Sequence, residues 1–133
     1  NHHMTHQIVG IVAALVIAGT VAQAHHSIAG AYDSKREATI DGVITEFRFV
    51  SPHPFVDVRE SRTGQSWRLE MDNRRELESI GFAVDTLKPG DRIVVTGSLA
   101  RRDANSMYIE RLDRPADGFG YEQVGNRPRL RAR

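Results

Sequence analysis

Apolar and polar residues alternate in short runs along the middle of the chain, and this pattern predicts β-strands. Alternate residues of a strand point to the same face of a sheet. The pattern is clearest over residues 66–71, where Trp67, Leu69 and Met71 fall on one alternation set. We expect these three side chains to face a common core. Further strands are predicted over residues 55–60, 92–99 and 106–112.

The first strand is predicted to be long and bent. Residues 38–50 are rich in β-branched and aromatic side chains, but apolar residues occupy both alternation sets, as Ile40 and Phe47 illustrate. A strand that changes the face it buries explains this, and Gly42 gives it a place to bend. The prolines of Ser51-Pro52-His53-Pro54 then end the strand, because proline cannot donate to a central ladder.

A short helix is predicted between the third and fourth strands. Asn73 suits the N-cap position, and Glu76 follows it at the spacing of a capping box. Leu77 and Ile80 would form the buried side of this helix, and Gly81 would end it.

This order of elements predicts the fold class. Three strands, a short helix and two strands, with a long bent first strand, is the order of the OB-fold, a small five-stranded, partly open barrel. We therefore expect an all-β, OB-fold-like five-stranded barrel with one short helix between strands 3 and 4. An SH3-like or other small barrel is the alternative. The expected shared core consists of Phe47, Phe49, Trp67, Leu69, Leu77, Ile80, Val95 and Ile109.

A hydrophobic leader precedes this domain. Residues 8–22 form a run of apolar and small residues, and Ala22-Gln23-Ala24 supplies a small-x-small cleavage site. The leading region carries His2, His3 and His6 where a signal peptide usually has Lys or Arg. The pattern predicts a signal peptide over residues 1–24 and export to the periplasm or the medium. An uncleaved membrane anchor is the alternative.

The remaining chain divides into a barrel domain and a tail. Residues 25–113 form the predicted domain, and residues 114–133 form a predicted flexible tail because Pro, Gly and Arg dominate there without periodicity. Residues 125–133 hold four Arg and no acidic residue. A contact with anionic lipid or an acidic partner is one interpretation of this charge, and a solvated tail is the other.

Composition excludes several classes of function. Lys and Arg total 18 against 17 Asp and Glu, so the chain has no overall basic body for holding nucleic acid. The outward residues of the third strand, Ser66, Arg68 and Glu70, include no aromatic ring for stacking bases. The absence of Cys excludes disulfides and Cys-ligated zinc. No phosphate loop, nucleophile elbow or zinc-protease motif is present, so we do not expect an enzyme.

Five short motifs occur together in the predicted domain. They are His25-His26-Ser27, Tyr32-Asp33 with Lys35, Phe47-x-Phe49-x-Ser51-Pro52-His53, Trp67-x-Leu69-Glu70 and Leu87-Lys88-Pro89-Gly90-Asp91. Together they resemble the bacterial periplasmic domain-of-unknown-function family 6152, over nearly all of residues 25–112. Ser51 departs from that family's usual Asn, and Asp103-Ala104-Asn105 replaces its usual Gly-rich turn. The resemblance implies a small exported barrel protein and implies no activity.

The His residues suggest a metal site. Beyond residue 24 the chain has three His, and all lie in two of these motifs: His25, His26 and His53. Cleavage after Ala24 would free the α-amine of His25 beside its own imidazole. One further imidazole, from His53, would complete three nitrogens in a T, which suits the tetragonal preference of Cu(II). The sequence therefore predicts a copper site from His25 and His53, with His26 adjacent.

A metal-free interpretation remains open. The protein would then be a periplasmic binding or interaction module that recognises a protein or a small ligand. The His pair would be solvated, and His53 would donate to a carbonyl that closes its loop. Glu70 and Asp57 could add oxygen ligands to a metal, but carboxylates on such strands usually face solvent. Trp67 is expected in the core rather than as a stacking platform.

Overall fold

The computed structural model describes residues 27–131. The predicted leader, His25 and His26 lie outside the described residues. Residues 27–31 are helical, and no helix of the described chain is long and apolar enough to cross a membrane. From Tyr32 onward the elements are β1 (Tyr32–Arg48), β2 (Phe55–Glu60), β3 (Ser66–Glu70), the helix Arg74–Ser79, β4 (Arg92–Ala100), β5 (Ser106–Arg114), β6 (Phe119–Val124) and β7 (Arg127–Arg131).

Strands β1 to β5 close into a barrel. β1 pairs antiparallel with β2 and with β4, β2 pairs antiparallel with β3, and β4 pairs antiparallel with β5. A parallel pairing of β3 with β5 closes the ring. The strands therefore follow one another around the barrel as β1-β2-β3-β5-β4, with the helix between β3 and β4. This arrangement is that of the OB-fold, so the predicted fold class is confirmed.

β1 changes the face it buries, as predicted, but not at Gly42. Ile40 and Ile44 are buried on one alternation set. The register against β2 then shifts between Ile44 and Glu46, and Phe49 is buried beyond that shift. An extra residue in one strand of a pair reverses which set faces the core. Gly42 serves close packing instead, because a Cβ there would lie 2.5 Å from the carbonyl oxygen of Arg59.

The predicted core is confirmed. The residues of the predicted set that are buried are Phe49, Leu69, Leu77, Val95 and Ile109. The residues of that set that pack against the core while partly exposed are Phe47, Trp67 and Ile80. The indole of Trp67 also donates a hydrogen bond to Glu60, with 3.2 Å between Nε1 and Oε1. Trp67 therefore supports the core, as expected from its alternation set.

Strands β6 and β7 correct the prediction of a tail without regular structure. They form a hairpin that continues the sheet beyond β5. Tyr121 is fully buried, with its ring edge-to-face against Phe82 at a centroid distance of 5.4 Å. Phe119 and Leu130 pack against the same core. The prediction is therefore wrong for residues 114–131, because apolar residues separated by Gly and Arg still supply a buried face.

Acidic partners on β6 and β5 pair with two Arg residues of this hairpin, Arg129 and Arg131. Arg129 bonds to Glu122, and Arg131 bonds to Asp113. The hydrogen bond from Arg129 is the main cause that lowers the pKa of Glu122 below its ordinary value. Burial opposes the same change at Asp113, but hydrogen bonds from Arg131 and Arg111 outweigh it, and the pKa of Asp113 is also lowered. The positive charge of residues 125–131 is thus largely paired within the sheet.

Candidate functional site

The loop that carries His53 is fastened to the chain that follows β3. The backbone N–H of Met71 donates to the carbonyl oxygen of Pro54, at 2.9 Å. The backbone N–H of Arg74 donates to the carbonyl oxygen of Pro52, at 3.0 Å. One backbone hydrogen bond therefore holds the residue on each side of His53. The restricted φ angles of the two prolines stiffen the loop further.

The side chain of Arg74 adds a second fastening to this loop. Its Nη1 donates to the carbonyl oxygen of Phe49, at 2.7 Å. Its guanidinium also lies over the ring of Phe49, 4.7 Å from the centroid, which is within the range of a cation–π interaction. Because Phe49 is buried in the core, Arg74 connects the start of the loop to the barrel interior. His53 thus stands on a loop held at both ends.

The hydrogen bond of the His53 ring determines its tautomer. Nδ1 lies 2.7 Å from the carbonyl oxygen of Met71. A carbonyl oxygen only accepts, so Nδ1 carries the proton and the neutral ring has its lone pair on Nε2. The side chain is 17% exposed, so the ring is sheltered but not sealed from solvent. Metal-binding imidazoles have this same arrangement, with one nitrogen donating to a carbonyl or carboxylate and the other free to coordinate.

Glu70 lies between His53 and the beginning of β1. Its Oε2 is 3.6 Å from His53 Nδ1, and its Oε1 accepts a hydrogen bond of 2.8 Å from the hydroxyl of Tyr32. Burial, followed by this hydrogen bond, raises the pKa of Tyr32, so the hydroxyl keeps its proton at neutral pH. Glu70 is only 16% exposed, in contrast to the solvent-facing carboxylate that the sequence favoured.

Asp57, the other carboxylate considered as a ligand, is engaged in ion pairs. Its Oδ2 accepts a hydrogen bond of 2.7 Å from Arg48, and Arg68 lies 3.4 Å from its Oδ1. A carboxylate shared by two guanidinium groups is a poor candidate for a metal ligand, because binding would displace both. The two carboxylates that the sequence treated alike therefore differ in their partners: Asp57 pairs with two guanidinium groups, whereas Glu70 accepts a hydrogen bond from Tyr32.

Carboxylates make the surroundings of Tyr108, the strand partner of Glu70, negative. Burial raises the pKa of Tyr108, and the charges of Asp72, Glu70 and Glu76 raise it further. Asp72 accepts hydrogen bonds from the side-chain amide of Gln123, at 2.9 Å, and from a backbone N–H. The hydrogen-bond donors to Asp72 and Glu70 are thus uncharged groups. A negative potential of this kind favours the approach of cations.

Two aromatic rings flank Glu70 on the outside of the barrel. Phe55 of β2 pairs with Glu70, which pairs in turn with Tyr108 of β5. Arg68 lies over Phe55, 5.7 Å from the ring centroid. OB-folds bind ligands on the face of the second and third strands. Sequence reasoning missed both rings because it considered the third strand alone, and only the register of three strands places them in one row.

The described residues contain part of the predicted site. His53 lies on its Pro-flanked loop as expected, whereas His25 and His26 lie outside the described chain. Within residues 27–131, no three His, Asp or Glu side chains are grouped so that they could hold a metal ion. His53, Glu70 and Tyr32 form the connected cluster that the sequence did not predict, and we call these three residues the His53 cluster.

Comparisons with solved structures give matches of low similarity. The Stn1–Ten1 complex of S. pombe matches with a TM-score of 0.49 and 16% identity, covering 62% of this chain and 62% of that one. A TiaS deletion mutant in complex with agmatine matches with a TM-score of 0.45 and 17% identity, covering 59% of this chain. This chain spans 21% of that TiaS chain. No curated protein matches significantly.

The family comparison is more informative. The model of a family of unknown function, DUF6152, matches residues 13–108. That range includes the five motifs that suggested the resemblance, the His53 loop and most of the barrel. It covers more than half of the chain, and the chain therefore belongs to DUF6152.

Proposed function

We propose that this protein is exported and binds a transition-metal ion, Cu(II), on the outside of its barrel. His53 would coordinate through Nε2. His25, freed by cleavage after Ala24, would coordinate through its α-amine and its imidazole, with His26 beside it. These three nitrogens would form the T-shaped set that suits tetragonal Cu(II).

The observation that carries the proposal is the hydrogen bond from His53 Nδ1 to the carbonyl oxygen of Met71. It presents Nε2 as a ligand without any change of tautomer. The backbone hydrogen bonds of the loop and the contacts of Arg74 with Phe49 hold this nitrogen in place before a metal binds. A preformed position reduces the entropy lost on binding. The carboxylate of Glu70, 3.6 Å from His53 Nδ1, adds an electrostatic attraction for a divalent cation.

The proposed site has a defined dependence on pH. An α-amine and an imidazole bind a metal only when they are deprotonated. Copper affinity should therefore fall as the pH is lowered, because protons compete with the metal for these nitrogens. A site built from carboxylates alone would keep its affinity to lower pH.

Copper titration of four forms of the exported protein tests the proposal. The full chain is expressed, the exported form is purified, and its intact mass establishes whether His25 is the first residue. The second form carries one extra residue before His25, which converts the amine to an amide and leaves every side chain in place. His53→Ala removes the imidazole, and His53→Gln retains an N–H donor for Met71 while removing Nε2.

We expect the exported form to bind Cu(II) more tightly than the other three forms, by at least tenfold. His53→Gln should lose as much affinity as His53→Ala, which separates loss of a ligand from disturbance of the loop. Equal affinity across all four forms would refute the proposal. A mass that places the first residue upstream of His25 would remove the amine from the site and refute it as well.

A metal-free binding module is the second candidate, and the two aromatic rings beside Glu70 favour it. Phe55 and Tyr108 flank Glu70 on the face where OB-folds hold ligands, including oligosaccharides. Titration with a trisaccharide of N-acetylglucosamine, followed by NMR, would test this candidate. Shifts centred on Phe55 and Tyr108 and abolished by Phe55→Ala would support it. Shifts scattered over the surface, or none, would contradict it.

A further inference from the structure

The carbonyl oxygen that accepts from His53 belongs to the peptide unit that joins Met71 to Asp72. This oxygen lies 2.7 Å from His53 Nδ1. A peptide unit is planar, so contacts that hold the Asp72 side of the unit also restrain the direction of its carbonyl. We infer that Gln123 of the β6–β7 hairpin is a positioning residue, which orients the ring of His53 by holding Asp72.

The side-chain amide of Gln123 connects Asp72 to the interior of the hairpin. Its Nε2 donates to Oδ2 of Asp72, at 2.9 Å, and to the hydroxyl of Tyr121, at 2.6 Å. A side-chain amide has two N–H donors, and both are used here. Because the ring of Tyr121 is fully buried, Gln123 attaches Asp72 to a group that the core holds in place.

The hydroxyl of Tyr121 also faces the backbone of Asp72. Burial raises the pKa of Tyr121, and hydrogen bonds from Gln123 and from the Asp72 backbone offset part of this rise. A backbone bond that favours the charged form of a hydroxyl comes from an N–H donor. The N–H of the peptide unit between Met71 and Asp72 is thus directed at the hairpin, while its carbonyl oxygen is directed at His53.

The inference rests on the proposed function for its purpose and concerns His53 alone among the proposed ligands. A fixed carbonyl at Met71 keeps the proton on Nδ1 and leaves Nε2 free to coordinate a metal. The net strength of one hydrogen bond corresponds to about a 2- to 10-fold change in an equilibrium. Without the amide of Gln123, we therefore expect the bond from His53 to Met71 to open about 2 to 10 times more often.

The exchange of the His53 Nδ1 proton with solvent measures this opening. NMR spectra of the isotope-labelled, metal-free protein are recorded after expression of the full chain, and His53→Gln identifies the His53 signals by their loss. The same spectra give the tautomer, since the shifts of the two ring nitrogens depend on which nitrogen carries the proton. The indole proton of Trp67, which is bonded to Glu60, is the internal reference for opening elsewhere in the barrel.

Four variants separate positioning from general stability. Gln123→Met keeps the length of the side chain and removes both donors. Asp72→Ala removes the acceptor, and the double variant combines the two changes. Glu122→Gln is the matched control, because it weakens the ion pair with Arg129 on the neighbouring strand and leaves Gln123 unchanged.

We expect the His53 Nδ1 proton to exchange about 2 to 10 times faster in Gln123→Met than in the wild type, with a larger share of the Nε2–H tautomer. Exchange of the Trp67 indole proton should stay the same, and Glu122→Gln should match the wild type at His53. The double variant should exchange no faster than Asp72→Ala, because both changes break the same connection.

An unchanged exchange rate and tautomer of His53 in Gln123→Met would refute the inference. Equal acceleration at Trp67 would refute it as well, since Gln123 would then stabilise the whole fold rather than orient one ring. Additive effects in the double variant would show that Gln123 and Asp72 act independently, which also contradicts it.

These outcomes are separate from those of the copper titration. If the wild type binds Cu(II) through His53 but exchange is unchanged in Gln123→Met, the copper site stands and the positioning role is refuted. If the wild type binds no Cu(II), the proposed function is refuted, and faster exchange at His53 in Gln123→Met still supports the positioning role because it is measured without metal.

Discussion

Tyr121 tests whether the β6–β7 hairpin belongs to the barrel core. Its side chain is fully buried, and its ring packs edge-to-face on Phe82. Its hydroxyl accepts a hydrogen bond of 2.6 Å from the side-chain amide of Gln123. Replacing Tyr121 by Ala removes the ring, the aromatic pair and the acceptor at once, and leaves a cavity between the hairpin and the segment that follows the helix.

The expected cost is large. Truncating a buried aromatic residue to Ala lowers the free energy of unfolding by about 3–5 kcal/mol. Tyr121→Phe removes only the hydroxyl and should cost about 0.5–1.5 kcal/mol, the net contribution of one hydrogen bond. Val124 lies on the same strand but is 51% exposed, so Val124→Ala should change stability by less than about 0.5 kcal/mol.

Urea unfolding measures all three variants. The linear dependence on denaturant gives the free energy of unfolding and its slope, and the slope reports the surface exposed. A single transition with an unchanged slope is expected, because the hairpin and the barrel share one core. A loss below about 1 kcal/mol for Tyr121→Ala would refute this reasoning, as would a separate early transition. Either result would mean that residues 119–131 are an accessory to a barrel that is complete without them.

Two further predictions concern the core and the ion pairs. Trp67→Ala should lower the free energy of unfolding in urea by about 3 kcal/mol, because the partly buried ring and its bond to Glu60 are both lost; a loss below about 1 kcal/mol would make Trp67 a surface platform. The pKa values of Glu122 and Asp113 are lowered in the folded protein. The two carboxylates therefore stabilise the fold fully above their unfolded-state pKa, and this stabilisation is lost as the pH falls through their folded-state pKa. Urea midpoints should therefore decrease between pH 7 and pH 3, and Arg129→Gln should reduce that decrease; an identical decrease in both proteins would contradict the assignment.

Local sequence signals predicted the elements whose ends are marked by special residues. β2 and β5 begin at the predicted residues, since prolines precede one and a turn at Asn105 with positive φ precedes the other. The helix starts after Asn73, whose side chain accepts from the backbone N–H of Arg75 as a cap should. The backbone N–H of Asn73 bonds to Asp72 rather than to the predicted Glu76. The residue type of Asn73 thus predicted the position of the N-cap, but the acceptor of its backbone N–H depended on geometry that the sequence does not give.

The failures arose where partners distant in sequence decide the structure. Residues 32–37 are polar and charged, so nothing in their pattern favours a strand, yet β1 begins at Tyr32 because β4 offers a ladder to pair with. The hairpin was missed for a similar reason. Arg129 and Arg131 looked like a solvated basic run, but the register places Glu122 opposite Arg129, and Arg131 reaches across Gly120 to Asp113 on β5. The order of charged residues in the sequence does not show which of them become neighbours on adjacent strands.

The same division between local and distant information applies to the His53 cluster. The sequence could identify His53, because prolines flank it and only three His residues follow residue 24. It could not supply the tautomer, which depends on a carbonyl oxygen eighteen residues away at Met71. Nor could it distinguish Glu70 from Asp57, since only the fold gives one carboxylate neutral partners and the other two guanidinium groups. The chemistry proposed for this protein therefore depends less on which residues the chain contains than on which groups the barrel leaves free to bind.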